Sequence, residues 1–334
     1  MFKRVSSLLC CSMLFSFTAD ARPLAEAPGW SATINLNVGY VSGQNQFSTD
    51  DDNQITDDLN NNGKSSSSAI VYPLLRVDYT TRDLKNQFFL GNSRENLGRA
   101  QFQYELGYTR AISDRSKITA AYFPELPLLN DTWADPYLVG SARQKTDENY
   151  QGGRLRFESI ADSPLTLEYV YANRTVDNEQ SGVSIASLSQ SDIESLKRDA
   201  DLHRLIAETF VPLSRKWFLA PAVAYTTAKA DGSANDFDQY TLRITSIYRS
   251  GPHVFTLNTE YGQTKFSGSN PVFDNQTQKN DKLSVFGIYV FNEPFGWKNT
   301  MFNLLGGYND TDSNINFYDS KGGIAALGFG YKFK

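Results

Sequence analysis

The feature that most constrains this chain is a long alternation of apolar and polar residues. In the first run, Ile34, Leu36, Val38 and Tyr40 are separated by Asn35, Asn37 and Gly39. Successive side chains of a β-strand point to opposite faces, so this pattern predicts strands with one apolar and one polar face. The pattern recurs at 102–108, 165–171, 240–244, 255–261 and 327–333. We therefore expect an all-β chain.

A soluble sandwich also alternates, and three further features favour a membrane barrel. The runs are about ten residues or longer, nearer to membrane-crossing strands than to the usual five or six residues. Short and long connections alternate, and aromatic residues lie at the ends of the apolar faces, as at bilayer interfaces. In hydrocarbon every backbone N–H and C=O must be paired within the protein, so a sheet of strands that enters a membrane must close.

The connections predict the number of strands. Short connections lie near 81–85, 111–116, 161–164, 212–216, 251–252 and 292–298, and long ones at 44–67, 92–99, 124–150, 175–200, 228–236, 267–280 and 309–321. They predict a single antiparallel up-and-down β-barrel of about 14 strands, with short periplasmic turns and long extracellular loops. Twelve strands is the alternative, if 86–91 and one neighbour are not strands.

The N-terminal segment 1–21 has the organisation of a cleaved signal peptide. Lys3 and Arg4 precede an apolar stretch that is too short to span a membrane, and a small-x-small pattern ends at Ala21. Residues 22–334 then form the barrel. The cysteines, Cys10 and Cys11, both lie in the removed segment, so we expect no disulfides. These features predict the bacterial outer membrane as the location.

The net charge and the last strand indicate which partners to expect. The net charge is −5, whereas duplex-binding modules are usually basic, so we expect no nucleic-acid partner. The last strand, with Tyr331 and Phe333, resembles the signal for outer-membrane insertion, although Lys334 follows it. The expected partners are outer-membrane lipid and lipopolysaccharide, the barrel-assembly machinery, and a small solute that the sequence does not identify.

Four stretches carry a closer resemblance. Trp30-Ser31 precedes a strand ending Gly39-Tyr40, and FFLGNSREN (88–96), WADPYLVGSARQKTDE (133–148) and NRTVDNEQSG (173–182) follow. Together they resemble an uncharacterised family of Gram-negative outer-membrane β-barrel proteins that carries only a domain-of-unknown-function label. The resemblance covers nearly all of the mature chain. It implies a location and a fold but supplies no substrate and no catalytic residues.

If the apolar faces contact lipid, the opposite faces line the barrel. By parity, the charged positions there are Arg76, Asp78, Glu105, Arg154, Arg156, Glu158, Glu168, Arg204, Glu208, Arg243, Glu260 and Lys332. An unpaired charge facing lipid would cost a few kcal/mol, which favours placing them inside. The balanced signs favour a neutralised network over a strongly ion-selective constriction, while a weakly selective path for small polar solutes remains open.

Hairpin geometry predicts two cross-strand pairs in this set. A turn centred on Gly251-Pro252 sets Arg243 opposite Glu260, and the turn at 161–164 sets Arg156 opposite or diagonal to Glu168. Directly opposed residues have Cβ atoms about 5 Å apart, close enough for ion pairs.

Two loops are candidates for restricting the lumen. Segment 124–150 is unusually apolar for a solvated loop, with Leu126, Leu128, Leu129, Trp133 and Tyr137. Segment 184–200 has helical character, with Ser191 and Glu194 at capping-box spacing. Each could fold into the lumen as a gate or cap the outer rim.

Metal and catalytic patterns are weak. Asp58, Asn60 and Gly63 match the first half of a calcium loop, but Ala69 occupies the position of the bidentate glutamate, so an acidic solvated loop is favoured over a weak divalent site. Asp201 and His203 have the spacing of an outer-membrane protease pair, but the acidic pair at 236–238 follows rather than precedes them. We expect no enzyme activity, no metal and no cofactor.

The sequence therefore favours an outer-membrane channel or facilitator for passive diffusion of small polar or weakly charged solutes. The alternative is a closed structural or surface barrel whose acidic extracellular loops bind cations or partners. An outer-membrane hydrolase is a remote third possibility.

Overall fold

The chain forms one antiparallel sheet that closes on itself in the computed structural model, which describes residues 23–92, 104–124 and 131–334. Two of the sixteen strands, Asp131–Trp133 and Val211–Pro212, are short additions to the wall, which leaves fourteen. The wall strands are β1 (Gly29–Gln44), β2 (Ser65–Thr80), β3 (Asn86–Asn92), β4 (Tyr104–Ala111), β5 (Lys117–Phe123), β6 (Lys145–Glu158), β7 (Leu165–Val176), β8 (Ala200–Thr209), β9 (Trp217–Ala230), β10 (Phe237–Ser250), β11 (His253–Phe266), β12 (Lys279–Asn292), β13 (Thr300–Ser313) and β14 (Ser320–Phe333).

Closure follows from the pairing of the first strand. β1 pairs with β2 on one side and with β14 on the other, and every other wall strand pairs with its neighbours in chain order. The predicted up-and-down barrel is therefore confirmed with fourteen strands rather than twelve. The signal peptide predicted at 1–21, most of the loop at 92–99, and Leu126, Leu128 and Leu129 lie outside the described residues.

Short turns and long loops lie at opposite ends of the barrel, as the spacing of the strand signals predicts. The tightest turn joins β10 to β11 through Gly251-Pro252, where the φ of Gly251 is 58°, as the first central position of such a hairpin requires. The loop predicted at 309–321 is shorter, because β13 runs to Ser313 and β14 begins at Ser320. Asp310 opposes Lys321 there, and this pair of opposite charges favours the continued ladder.

The polarity of the wall is the reverse of that in a soluble protein. On β1, Leu36 is 52% exposed whereas its neighbour Asn37 is fully buried. The same reversal holds on β10, where Leu242 and Ile244 are exposed and Arg243 is buried. A closed sheet with its apolar face outward is stable where that face contacts hydrocarbon.

Within residues 23–92, 104–124 and 131–334, helical structure is confined to connections. One short α-helix, α1, spans Gln190–Ser195, and single 3₁₀ turns occupy Asp51–Asn53, Ile160–Asp162, Ser233–Asn235, Pro271–Phe273, Pro294–Gly296 and Asn316–Tyr318. Among the described residues, no helix has both the length and the apolar character needed to span a membrane.

Candidate functional site: the barrel interior and the loop cap

The charged side chains expected on the inner face lie on the face opposite the exposed apolar one. Seven of the eleven charged positions from 76 to 260 are buried, namely Arg76, Asp78, Glu105, Arg154, Arg156, Glu168 and Arg243. Glu158, Arg204, Glu208 and Glu260 are half-buried, and Lys332 at the short-turn end is exposed. In a closed barrel the face opposite the exposed one encloses the interior.

Arg156 on β6 is the centre of an ion-pair network along one side of the interior. Its guanidinium lies 2.5 Å from Glu168, 3.1 Å from Glu208 and 3.2 Å from Glu158. Register sets Arg156 directly opposite Glu168, which resolves the two alternatives left open by the sequence. The side chains of Arg156 and Glu168 are 5% and 4% exposed, so side chains fill the lumen on this side.

The network extends to a cation at each end. Lys117 on β5 lies 3.2 Å from Glu158, and Arg243 on β10 lies 3.1 Å from Glu208. Three basic and three acidic groups on β5 to β8 and β10 are thereby joined, and their charges balance. Two further buried pairs, Arg154 with Glu105 at 2.9 Å and Arg76 with Asp78 at 2.9 Å, continue the pattern towards β2.

One predicted ion pair is wrong, although its register is right. Arg243 opposes Glu260, as the hairpin geometry requires, but its guanidinium turns the other way to Glu208. The intervening strand β9 places Ala222 directly between Arg243 and Glu208. Because this side chain is small, the guanidinium can reach across it to a carboxylate two strands away.

The other side of the interior, formed by β10 to β14, contains an open cavity of about 480 Å³. Its lining includes the charged residues Arg204, Arg243, Glu260 and Lys282, together with amides, hydroxyls and the glycines of β13 and β14. Gly307 is required for close packing here, because a Cβ at this position would lie 2.4 Å from the Phe286 ring. We call this space the lumen cavity.

Uncharged polar side chains cover the inner wall nearer the short turns. The amide of Asn303 accepts a hydrogen bond from Asn35 at 2.6 Å and donates one to Asn37 at 2.9 Å. Gly328 leaves room for this amide ladder, since a Cβ there would lie 2.1 Å from the Asn37 oxygen. This part of the lumen therefore presents hydrogen-bonding groups without net charge.

The long loops pack together into a cap with its own apolar core. Tyr137, Leu196, Ala234, Ile315 and Phe317 are buried in one cluster. The partly buried members of the cluster are Phe47, Leu59, Ile185, Leu188, Val272, Phe273 and Tyr318. These residues come from six different loops, so the loops form a single structure at this end of the barrel, which we call the loop cap.

Two buried arginines hold the cap together. Arg143 donates to the carbonyls of Gln46, at 3.0 Å, and of Asn53, in the first long loop, and its guanidinium lies 4.7 Å from the centre of the Trp133 ring. Burial lowers the pKa of Arg143 to about 10, and the charge of Asp135 partly offsets this shift. The guanidinium is still protonated at neutral pH.

Arg198 makes the equivalent connection to the third long loop. It donates to both oxygens of Glu179, at 2.8 and 3.1 Å, and to the carbonyl of Trp133 at 2.8 Å. Burial raises the pKa of Glu179, but the hydrogen bond and charge of Arg198 outweigh this effect and lower it. The sequence patterns assigned no role to Arg143 or Arg198.

The loops at 124–150 and 175–200 pack on other loops rather than standing alone. Trp133 donates through its indole N–H to the carbonyl of Gln46 at 3.1 Å, and residue 139 forms an isolated bridge with residue 56. The predicted helix at 184–200 is limited to α1, and its capping box consists of Ser189 and Asp192 rather than Ser191 and Glu194. Ser189 is extended, so its hydroxyl can accept from the backbone N–H of Asp192.

One protein family matches most of the chain. The family described as "Protein of unknown function (DUF2860)" matches residues 29–332. The chain belongs to this family. The family resemblance noted in the sequence is therefore confirmed, and no curated protein matches.

Solved structures similar to this DUF2860 barrel include CymD, TodX and a FadL homologue. The monoaromatic hydrocarbon channel CymD has a TM-score of 0.46 at 11% identity, covering 92% of this chain and 89% of its own. The toluene transporter TodX of Pseudomonas putida has a TM-score of 0.40 at 11% identity, and the match covers 94% of this chain and 95% of TodX. A FadL homologue of Pseudomonas aeruginosa has a TM-score of 0.41 at 13% identity, and the match covers 91% of this chain and 90% of the homologue.

The residues weighed for catalysis lie on the outer wall of the DUF2860 barrel. Asp201 and His203 are exposed there and do not contact each other through hydrogen bonds. The carboxylate of Asp201 accepts from Tyr171 at 2.7 Å and from Asn173 at 3.1 Å, while His203 pairs with the hydroxyl of Tyr169 at 2.7 Å. This arrangement resembles an interfacial belt rather than an acid–base pair aimed into a cleft.

In the segment that matches half of a calcium loop, residues 58–63, the Asp58 carboxylate is hydrogen-bonded to neighbouring groups of the same segment. The Asp58 carboxylate accepts from the backbone N–H of Asn60 at 2.6 Å and from the side chain of Asn61 at 3.1 Å. Within residues 23–92, 104–124 and 131–334, no group of three acidic, histidine or cysteine side chains is arranged to hold a metal ion.

Proposed function

We propose that this protein is an outer-membrane channel for passive diffusion of small polar or weakly charged solutes. The observation that carries the proposal is the lumen cavity, an unfilled space of about 480 Å³ with a polar lining inside a closed barrel. Eight-stranded barrels are filled by their own side chains, whereas a wider barrel leaves room for a path. The inward charged residues from Arg76 to Glu260 are proposed to line that path.

The balance of charge supports weak selectivity between ions. The network around Arg156 joins equal numbers of basic and acidic groups, and the wall near Asn303 is uncharged. A pore that strongly prefers one sign of ion generally presents rings of one charge. The outward apolar face, with Leu36 and Leu242 exposed, supports the membrane location.

A second candidate is a closed surface barrel whose loops bind cations or partners. The observation in its favour is the loop cap, because six loops share one apolar core and pack together at one end of the barrel. The two candidates differ in the role of the cap. In a channel the cap restricts passage and its disruption raises conductance, whereas in a surface protein the cap is the working part and the lumen carries nothing.

Planar-bilayer conductance of the purified protein separates them. Phe317 is fully buried in the cap core, 5.3 Å from the ring of Tyr137, and replacing a buried Phe with Ala costs about 3–5 kcal/mol. We expect Phe317→Ala to raise the open probability, while Phe295→Ala, at an 83% exposed turn position, leaves it unchanged. Silence of both wild type and Phe317→Ala would favour the closed surface barrel.

A further inference from the structure

A band of apolar side chains lines one side of the barrel interior. The interior of a membrane barrel is usually polar, as the ion-pair network and the amide ladder are here. Phe286, Leu305 and Ala326 are instead buried in one apolar cluster on the inward face of β12, β13 and β14. The half-buried residues packed against this cluster are Tyr72, Ile288 and Ile324. The inner wall is therefore not uniformly polar.

The register of the strands joins the apolar positions into two adjacent rows. The row nearer the loop cap consists of Phe286, Gly307, Ile324 and Val41. The row nearer the short turns consists of Ile288, Leu305, Ala326, Gly39 and Ile70. Together they form a continuous surface from β12 through β14 and β1 to β2, which we call the apolar band.

Part of the apolar band is open to the barrel interior. Val41, Ile70, Ile288 and Ile324 are only half-buried. They alternate along their strands with outward residues that are themselves exposed, so the accessible part of each side chain faces inward. Gly307 keeps the Phe286 ring against the wall, because a Cβ there would lie 2.4 Å from the ring. Apolar surface that faces water is unfavourable, so a solute that covers the band is favoured.

The lumen cavity joins this band to a polar part of the wall. Phe286 and Ile324 of the band belong to its lining. One step of the strand alternation towards the loop cap, Ser284 directly opposes Asn309, and both also line the cavity. The hydroxyl of Thr241 is added from β10. A cavity of about 480 Å³ that combines apolar groups with a few hydrogen-bonding groups has the size and character of a small-molecule site.

The charged residues of the lining lie in this polar part. They are Arg204, Arg243, Glu260 and Lys282. Both signs of charge are present, and Arg243 is paired with Glu208 at 3.1 Å. We therefore assign no charge to the solute, and the contrast between the polar and the apolar part of the lining defines its chemistry.

We propose that the lumen cavity binds small neutral amphipathic solutes. An apolar ring or chain of the solute contacts the apolar band, and its hydroxyl or amide groups face Ser284 and Asn309. The proposal rests on the proposed channel function and narrows the polar solutes of that channel to those with an apolar part. A fully polar solute leaves the band in contact with water and binds less tightly.

Isothermal titration of the full-length barrel in lipid nanodiscs tests the subsite without relying on transport. The probes are phenyl β-glucoside and methyl β-glucoside, which share one polar sugar and differ in the apolar group. Empty nanodiscs measure any partition of the probes into lipid. We expect wild type to bind phenyl glucoside and to bind methyl glucoside at least about tenfold more weakly, as burial of an aromatic ring predicts. Equal affinities for the two probes would overturn the proposal.

Substitutions in the band locate the subsite. Ile324→Thr replaces apolar surface with a hydroxyl but keeps the branched shape, and it should weaken phenyl glucoside binding by about tenfold, whereas Ile324→Val should retain most of it. Val170→Thr is the matched control, because Val170 is half-buried on the inward face of β7, opposite Arg154, and does not line the cavity. This control should bind as wild type does.

The circular dichroism spectra of all three variants should match that of wild type, which separates loss of binding from damage to the fold. Equal affinities of Ile324→Thr and Val170→Thr for phenyl glucoside would refute the assignment of the subsite to the apolar band.

Uptake into proteoliposomes distinguishes failure of the subsite from failure of the channel. Binding of phenyl glucoside by a barrel that admits neither glucoside would refute the channel and leave the subsite standing. Uptake of both glucosides with no difference in affinity would refute the subsite and leave the channel standing. We expect phenyl glucoside to inhibit the uptake of methyl glucoside in wild type, and to inhibit it less in Ile324→Thr.

Discussion

Replacing Arg156 with methionine tests whether the interior network stabilises the barrel. The guanidinium contacts Glu168 at 2.5 Å, Glu208 at 3.1 Å and Glu158 at 3.2 Å. After the change, Glu158 keeps Lys117 and Glu208 keeps Arg243, and Glu168, which is 4% exposed, loses its 2.5 Å contact with the guanidinium. Removing one partner of a buried ion pair costs about 3–5 kcal/mol, and we expect a loss of this size.

The assay is urea-induced unfolding of the barrel in lipid vesicles, followed by tryptophan fluorescence. Lys117→Met provides the control, because Lys117 is 33% exposed and an exposed pair contributes at most about 1 kcal/mol. Adding Glu168→Gln to Arg156→Met should recover part of the loss, since it removes a buried charge that has lost its contact with Arg156. A loss for Arg156→Met no larger than that for Lys117→Met would refute the reasoning.

Two further predictions concern packing in the lumen cavity and the pH response of the cap. Gly307→Ala places a Cβ 2.4 Å from the Phe286 ring and should reduce the free energy of unfolding by about 1–3 kcal/mol, whereas Gly262→Ala, whose nearest neighbour is 3.5 Å away, should not. The pKa of Glu179 is lowered from its ordinary 4.5, so its contribution to the cap is complete above pH 4.5 and is lost as pH falls through the lowered pKa. Cleavage of the cap by a protease should therefore increase below pH 4.5 in wild type. The Glu179→Gln variant should show a smaller dependence on pH. Identical pH profiles for the two proteins would contradict the role of the Arg198–Glu179 ion pair in the cap.

The wall was predictable because its physical constraint is periodic and local. Each strand shows its two faces within a few residues, and the turn at Gly251-Pro252 sets the register of a whole hairpin, including Arg243 opposite Glu260. The partner of Arg243 was not predictable in the same way. It depends on the small size of Ala222 on a third strand, which only the assembled wall brings into line.

The loop cap lay beyond the reach of sequence patterns for a related reason. Its core combines single apolar residues from six loops, such as Tyr137 and Phe317, which have no periodicity in the chain. The start of α1 was misplaced by two residues, because Ser189 and Ser191 are both good caps and only the first has an extended backbone. Arg143 and Arg198 are recognisable only from the carbonyl groups that surround them in the assembled cap.

Accessibility of alternating positions along β10 tests the central claim most directly. The cysteines of the sequence, Cys10 and Cys11, lie in the expected signal peptide, so single spin-labelled cysteines can be placed at Thr241, Leu242, Ile244 and Thr245. In lipid vesicles, labels at 242 and 244 should collide mainly with oxygen dissolved in the acyl chains. Labels at 241 and 245 should collide with a water-soluble nickel chelate or with neither reagent. Equal accessibility to oxygen at all four positions would contradict the assignment of the apolar face to lipid and the polar face to the lumen.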